Sequence, residues 1–340
     1  MRTITEYLCS DICLPRNPGK PGGAAARDFL HERLEGLNLE PVGERGYAQA
    51  IPPIGGTNLL AMIPGRSERT VLLGAHYDAC GAHNPGADDN AAAVAVVLTV
   101  AEQLSERDLD RTVLIALFDS EEPPYFTTPN MGSQWFVDHP TVSLDTIDTM
   151  IALDLVGHGL GPEGLPDDVR DSVFVLGAEK STGTAAVMDD LPSVDGIVPR
   201  RIDNHIIGSM SDYDAFMKAG VPFLFYTVGR SEHYHAPTDT PDRLDYDKMA
   251  ALAAHLTDLV TALANRSDVP AFVADGFDDA ATVASVRSLL DALAPYAAAA
   301  EGLQPIVSDI EQRLAINGEL DAVDRQLIAR LIDQLETGLR

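Results

Sequence analysis

Positive charge is scarce in this sequence. Lys and Arg number 24 against 52 Asp and Glu, for a formal net charge of −28. Only Lys20, Lys180, Lys218 and Lys248 are lysines, and no basic run occurs. Nucleic acid and anionic membranes are held by clustered cations, so both are excluded as partners. Cysteine is scarce too. Cys9, Cys13 and Cys80 are too few for a disulfide framework and too scattered for a structural thiolate zinc site. They read as ordinary reduced thiols. Long apolar runs are missing: nothing approaches the roughly 18 residues of a membrane span, and residues 1–25 lack the apolar core of a signal peptide. A cytoplasmic protein is the expectation.

What is present is apolar and helix-forming. Hydrophobic residues make up 45% of the 340, enough for a sizeable core, and alanine is abundant. The apolar segments "NLLAMIPG", "TVLLGAH", "RTVLIALFDS", "TMIALDLVG", "DSVFVLGA" and "GVPFLFYTVG" alternate with helical ones. Among the latter are "AAARDFLHERLEGLN", "NAAAVAVVLTVAEQLSER" and residues 212–219 and 246–264. Strands that are apolar throughout are buried on both faces. The pattern predicts an α/β fold: a mixed, largely parallel central sheet with helices on both faces. Beyond about residue 266 only helical patterns remain, punctuated by Pro295, Pro305 and Gly318. The expected division is a sheet domain over 1–265 and a C-terminal helical appendage over 266–340. The appendage must bury its apolar stripes on itself, on the sheet domain near the pocket rim, or on a second copy as a homo-oligomer.

Open α/β sheets bind ligands at the carboxyl ends of their strands. After "VLLGA" comes His76, and after "VLIALF" come Asp119, Glu121 and Glu122. After "MIAL" comes Asp154, and after "FLFYTV" come His233 and His235. Asp88 and Asp89 precede a helix beginning near Asn90. Singly, each has an ordinary explanation. Asp88 or Asp89 could cap the helix, and Glu121 and Glu122 could lie in a solvated loop. Together they would raise one another's pKa unless a cation neutralised them. Imidazoles and carboxylates without thiolate describe a divalent-metal site whose usual occupant is zinc.

The motifs "AHYDA", "PGADDNAAAVA", "FDSEE", "ALDLVG" and "YHAPTDT" follow in the order found in the dizinc exopeptidases typified by bacterial leucyl aminopeptidases. The chain resembles this group, metallopeptidase family twenty-eight, over about residues 20–264. The resemblance implies two Zn2+ ions, one bound by His76 and Asp154, the other by Glu122 and His235, with Asp89 bridging them. It implies Glu121 as general base and Asp78 and Asp239 as acids that orient the imidazoles. Tyr234 would donate to the developing oxyanion. The implied activity is that of a zinc aminopeptidase, removing N-terminal residues from a peptide or aminoacyl substrate with metal-activated water.

Two departures from the family pattern bear on the substrate. In "SDYDAF", Tyr213 stands where relatives place His, next to Asp212. After Glu122, "PPYFTTPNMGSQWF" is a Pro-rich aromatic insertion. Tyr125, Phe126, Met131 and Asp212 are therefore candidates for the substrate pocket, and Arg200 and Arg201 for a substrate carboxylate. His31, His139, His205 and His255 match no family position and read as structural. His83 and His233 lie near ligands in sequence but carry no assigned role. Two alternatives stay open. A glutaminyl-peptide cyclase shares this fold and works with one zinc; its relatives keep a Glu-Glu pair and a nearby Asp, so Glu121, Glu122 and Asp212 do not exclude it, while "GADDNAAAVA" and Tyr213 favour the peptidase. A non-catalytic binding protein on this fold would be expected to have lost ligands, and none is lost here.

Overall fold

The structure, a computed structural model, describes residues 1–340. Nine strands form one mixed sheet. They are β1 (Glu40–Pro41), β2 (Ala48–Ile51), β3 (Gly56–Ile63), β4 (Ser67–His76), β5 (Arg111–Phe118), β6 (Ile147–Leu153), β7 (Ser172–Leu176), β8 (Val198–Arg201) and β9 (Phe223–Thr227). Their order is β1-β3-β5-β4-β6-β9-β7-β8, with β2 also paired to β3. The central four, β5-β4-β6-β9, are parallel. β3 runs antiparallel to β5, and β7 antiparallel to β9. The short strands β1, β2 and β8 lack a long apolar run and were not legible as strands from the sequence.

The helices are α1 (Arg2–Leu8), α2 (Pro21–Gly36), α3 (Ala92–Leu104), α4 (Gly132–Asp138), α5 (Asp167–Arg170), α6 (Thr184–Asp189), α7 (Tyr213–Lys218), α8 (Tyr246–Asn265), α9 (Asp279–Leu293), α10 (Ala298–Asn317) and α11 (Ala322–Leu339). The two-residue period of each central strand divides its side chains between two cores. Val71, Leu73, Val113, Ile115, Ile151 and Leu153 join the larger core, with α2, α3 and α8. Leu72, Leu114, Ala116, Phe118 and Met150 join the smaller one, with Phe136 of α4 and Phe216 of α7. No helix is long and apolar enough to cross a membrane.

The chain beyond α8 contains helices and no named strand. Asp278 caps α9 by accepting from the Ala281 N–H, and Asp321 caps α11 by accepting from Val323 and Asp324. Their buried stripes, including Val283, Val286, Leu290, Ile328 and Leu331, belong to the same core as the sheet. Arg325 of α11 pairs with Asp279 of α9 at 2.8 Å. Pro305 lies inside α10 instead of ending a helix. Packing against α9 outweighs the local preference, so the punctuation expected there is absent.

His255, on α8, is buried against β9, with Nε2 3.1 Å from the Tyr226 hydroxyl. Burial pushes its imidazole down to about 4. Between pH 6.5, the ordinary value, and about 4 the unfolded chain binds a proton that the fold does not. Stability therefore falls as pH falls through this window, by up to about 3 kcal/mol. The stability advantage of wild type over His255→Asn, from denaturant melts, is expected to shrink by that order between pH 7 and pH 4. An advantage independent of pH would mean that His255 titrates normally.

Candidate metal centre

Register sets the site. His76 pairs with Phe118 and Leu153 with Tyr226, so the ends of β4, β5, β6 and β9 lie along one edge. Ser120 and Leu155, beside donors, and His235, itself a donor, have φ of 57°, 55° and 56° without being glycine. Such backbone costs of order 1 kcal/mol or more per residue and gathers where surrounding structure holds it for function. Here it turns the chain next to Glu121 and Asp154 and at His235 itself. Gly86, with φ 61°, opens the loop that carries Asp89. A Cβ there would lie 2.4 Å from the Asp89 carbonyl oxygen, so glycine is required.

The loop's two acids do different things, and neither caps α3. Asp88 accepts from the Gly157 N–H at 2.7 Å and faces His158 Nδ1 at 2.7 Å, tying the loop to the segment after β6. Asp89 turns inward. Its Oδ1 lies 3.4 Å from His76 Nε2 and its Oδ2 3.1 Å from His235 Nε2. His76 Nε2 also lies 3.6 Å from Asp154 Oδ1 and 3.8 Å from Glu121 Oε2. His235 Nε2 lies 3.1 Å from Glu122 Oε2. Two groups of potential ligand atoms result, His76–Asp89–Asp154 and Cys80–Glu122–His235, each spanning no more than 4.8 Å. Cys80 was not singled out by the sequence. A thiol four residues after a histidine carries no signal until the loop folds back.

The two acids assigned to orient the imidazoles lie in different places. Asp78 Oδ1 lies 3.3 Å from His76 Nδ1, and its carboxylate accepts from the Glu121 and Glu122 N–H groups at 3.0 and 3.1 Å. One side chain therefore places an imidazole and both glutamates. Asp239 does not orient His235. Its two oxygens accept from the N–H groups of Asp88 and Asp89 at 2.8 and 3.1 Å, so it holds the backbone of the inward-turning loop. Asp119 faces away from the donors, accepting from Thr57 N–H and the Tyr77 hydroxyl.

The electrostatics call for a cation. Asp78, Asp89, Glu121, Glu122, Asp154 and Asp212 are all buried. Their only partners within ion-pair distance are His76 and His235. Like charges about 4 Å apart repel by about 4 kcal/mol even at an effective dielectric near 20. Burial, then Asp89, pushes Glu122 up to about 7. Burial alone is the largest cause lifting Glu121 well above the usual range, against the pull of His76. Asp212 also rises to about 7 through burial. Burial opposes charge on His235, but Asp89 and Glu122 outweigh it and lift the imidazole to about 10. Both His76 ring nitrogens, Asp89 Oδ2, Glu122 Oε1 and Asp154 Oδ1 are buried without a hydrogen-bond partner. Hard oxygen and imidazole donors in this state fit divalent zinc.

A cavity of about 310 Å³ is lined by Asp89, Glu121, Glu122, Asp154 and His235 together with a largely apolar wall. Phe126 of the insertion lines it, while Tyr125 and Met131 do not. Met131 is packed inside, its sulfur accepting from the Thr127 N–H. Asp212 does not line the cavity; it is buried with both oxygens unpartnered. Tyr234 lines the cavity and stacks on His235, ring centroids 3.8 Å apart. Arg200 and Arg201 are structural: Arg200 is buried against Ser172 and the Asp168 carbonyl, and Arg201 binds Asp189 and Asp278. The arginine that reaches the cavity is Arg230. His83 is exposed, and His233 bonds Thr238. His31, His139 and His205 contact Glu35, the Trp135 carbonyl and Asp203, away from the cavity.

The model of peptidase family M28 matches residues 58–260. The uncharacterized protein YfbL of Escherichia coli (strain K12) is 29% identical over 235 residues, which cover 61% of this chain and 72% of that protein. A probable leucine aminopeptidase of Arthroderma otae is 26% identical over 207 residues, 56% of this chain and 53% of that protein. This chain thus spans about half the length of the fungal relative. Glutaminyl cyclase of Porphyromonas gingivalis shares the fold at a TM-score of 0.59 and 20% identity, over 76% of this chain and 95% of that one.

Proposed function

The chain belongs to peptidase family M28, and from that premise we propose that it is a zinc-dependent aminopeptidase with two metal ions. The observation that carries the reading is the division of Asp89, one carboxylate oxygen toward His76 and the other toward His235. On this reading His76 and Asp154 would hold one ion, Glu122 and His235 would hold the other, and Asp89 would serve both. The name of the Arthroderma otae relative supports the same activity. Bound there, zinc would supply Lewis acidity toward the scissile carbonyl and lower the pKa of water.

The chain's own residues do the rest. Glu121 takes the proton of the attacking water at its carboxylate and returns it to the leaving amine. Asp78 keeps Glu121 and Glu122 in place through their backbone N–H groups. Tyr234, stacked on His235, donates its hydroxyl to the carbonyl oxygen as charge develops.

Glutaminyl-peptide cyclisation is the second reading. It is favoured by buried, unpartnered Asp212, whose charge is felt at Glu121. Metal analysis with a substrate panel separates the readings. Aminoacyl-nitroanilides are expected to be hydrolysed, with activity lost on chelation and restored by zinc. Ammonia release from Gln-peptides without anilide hydrolysis would replace the peptidase reading with the cyclase. Zinc-loaded protein inert on both would refute both.

A further inference from the structure

The cavity has a wall outside the family match, which ends at residue 260. Ile332, Leu335, Glu336 and Leu339 of α11 line it, spaced i, i+3, i+4 and i+7 as one helix face. Val286 and Leu289 of α9 line it beside them. Ile328 and Leu331, one turn earlier along the same side of α11, are buried in the main core, and Ile332, Leu335 and Leu339 pack at its margin where it opens to the cavity. Asp321 caps the helix and Arg325 clamps it to Asp279, so the wall is anchored and not a loose tail. Its one acid is neutralised: Glu336 Oε1 lies 3.6 Å from Arg230 Nε and 3.1 Å from an Arg340 amino group. Arg230 in turn lies 5.6 Å from the ring of Tyr234, next to donor His235.

We propose that this face of α11, with Val286 and Leu289, receives the side chain of the substrate's N-terminal residue and sets the preference for large aliphatic or aromatic groups. The inference rests on the aminopeptidase reading and adds to it the residues that choose the substrate. A polar side chain entering here would lose water and find Glu336 already paired. A small one would leave the cavity-facing sides of Ile332, Leu335 and Leu339 without a substrate contact. Hydrophobic pockets discriminate by about 10–200-fold per methylene-sized mismatch.

The test uses the full-length, zinc-loaded protein and the variants Leu335→Trp and Leu335→Ala. For Leu335→Trp, kcat/KM on leucyl- and phenylalanyl-nitroanilide is expected to fall about 10-fold or more, and alanyl-nitroanilide to change less than about 3-fold. For Leu335→Ala, the leucyl-to-alanyl ratio is expected to fall about 3–10-fold. If Leu335→Trp does not fold, as judged by its melting curve, Leu335→Ala carries the test alone. Ratios equal to wild type in the folded variants overturn the wall. Calorimetric binding of leucine hydroxamate and glycine hydroxamate separates this failure from failure of the aminopeptidase reading. If wild type hydrolyses no anilide yet prefers leucine hydroxamate, and the variants lose that preference, the activity is wrong and the wall stands. No preference in wild type overturns the wall whatever the activity.

Discussion

Glu121→Gln is expected to lose about 10²–10⁴ in kcat while keeping the metal content of wild type. The carboxylate lies 3.8 Å from His76 Nε2 and within the cavity lining, close enough to serve the reacting centre. It is nevertheless absent from both groups of potential ligand atoms. Glutamine keeps the volume and the backbone N–H held by Asp78, but cannot accept the proton. Turnover by stopped assay and zinc by elemental analysis check the two halves. A variant that loses zinc in proportion to activity would make Glu121 a ligand and would reverse the proposed roles of Glu121 and Glu122.

Asp89→Ala is expected to have the opposite signature, losing metal first. Mutations of groups that merely support ligands weaken metal binding by about 10–100-fold, and a carboxylate shared by both ions should exceed that. Its removal leaves His76 with Asp154 on one side and His235 with Glu122 on the other, with nothing spanning them. Fewer than two ions per chain should remain at a free-zinc level that saturates wild type, with no detectable turnover. Two ions retained by Asp89→Ala would refute the bridge. The same result with Asp239→Asn would be informative in another way, since Asp239 acts on the loop backbone and not on a metal.

The sequence by itself determined the sheet's central strands and the chemistry of its edge. A strand buried on both faces must be apolar along its length. A polar, titratable residue just beyond it is therefore conspicuous, and His76, Glu121, Glu122, Asp154 and His235 stood out on that ground. The order of their motifs then carried the family, because strand order along the chain survives in the sequence. Only the tertiary structure decided which atoms face which. It divided Asp89 between two imidazoles, moved Asp239 from His235 to a loop backbone, brought Cys80 beside Glu122 and His235, and replaced Arg200 and Arg201 by Arg230 at the cavity. It also laid α11 against a pocket whose metal-binding edge lies about a hundred positions or more earlier in the chain, as the pairing of Arg230 with Glu336 shows. The physical reason is the same in each case. An apolar stripe or a carboxylate states what it needs, burial or a positive partner, but not where in the chain that need is met. Long-range packing makes that choice.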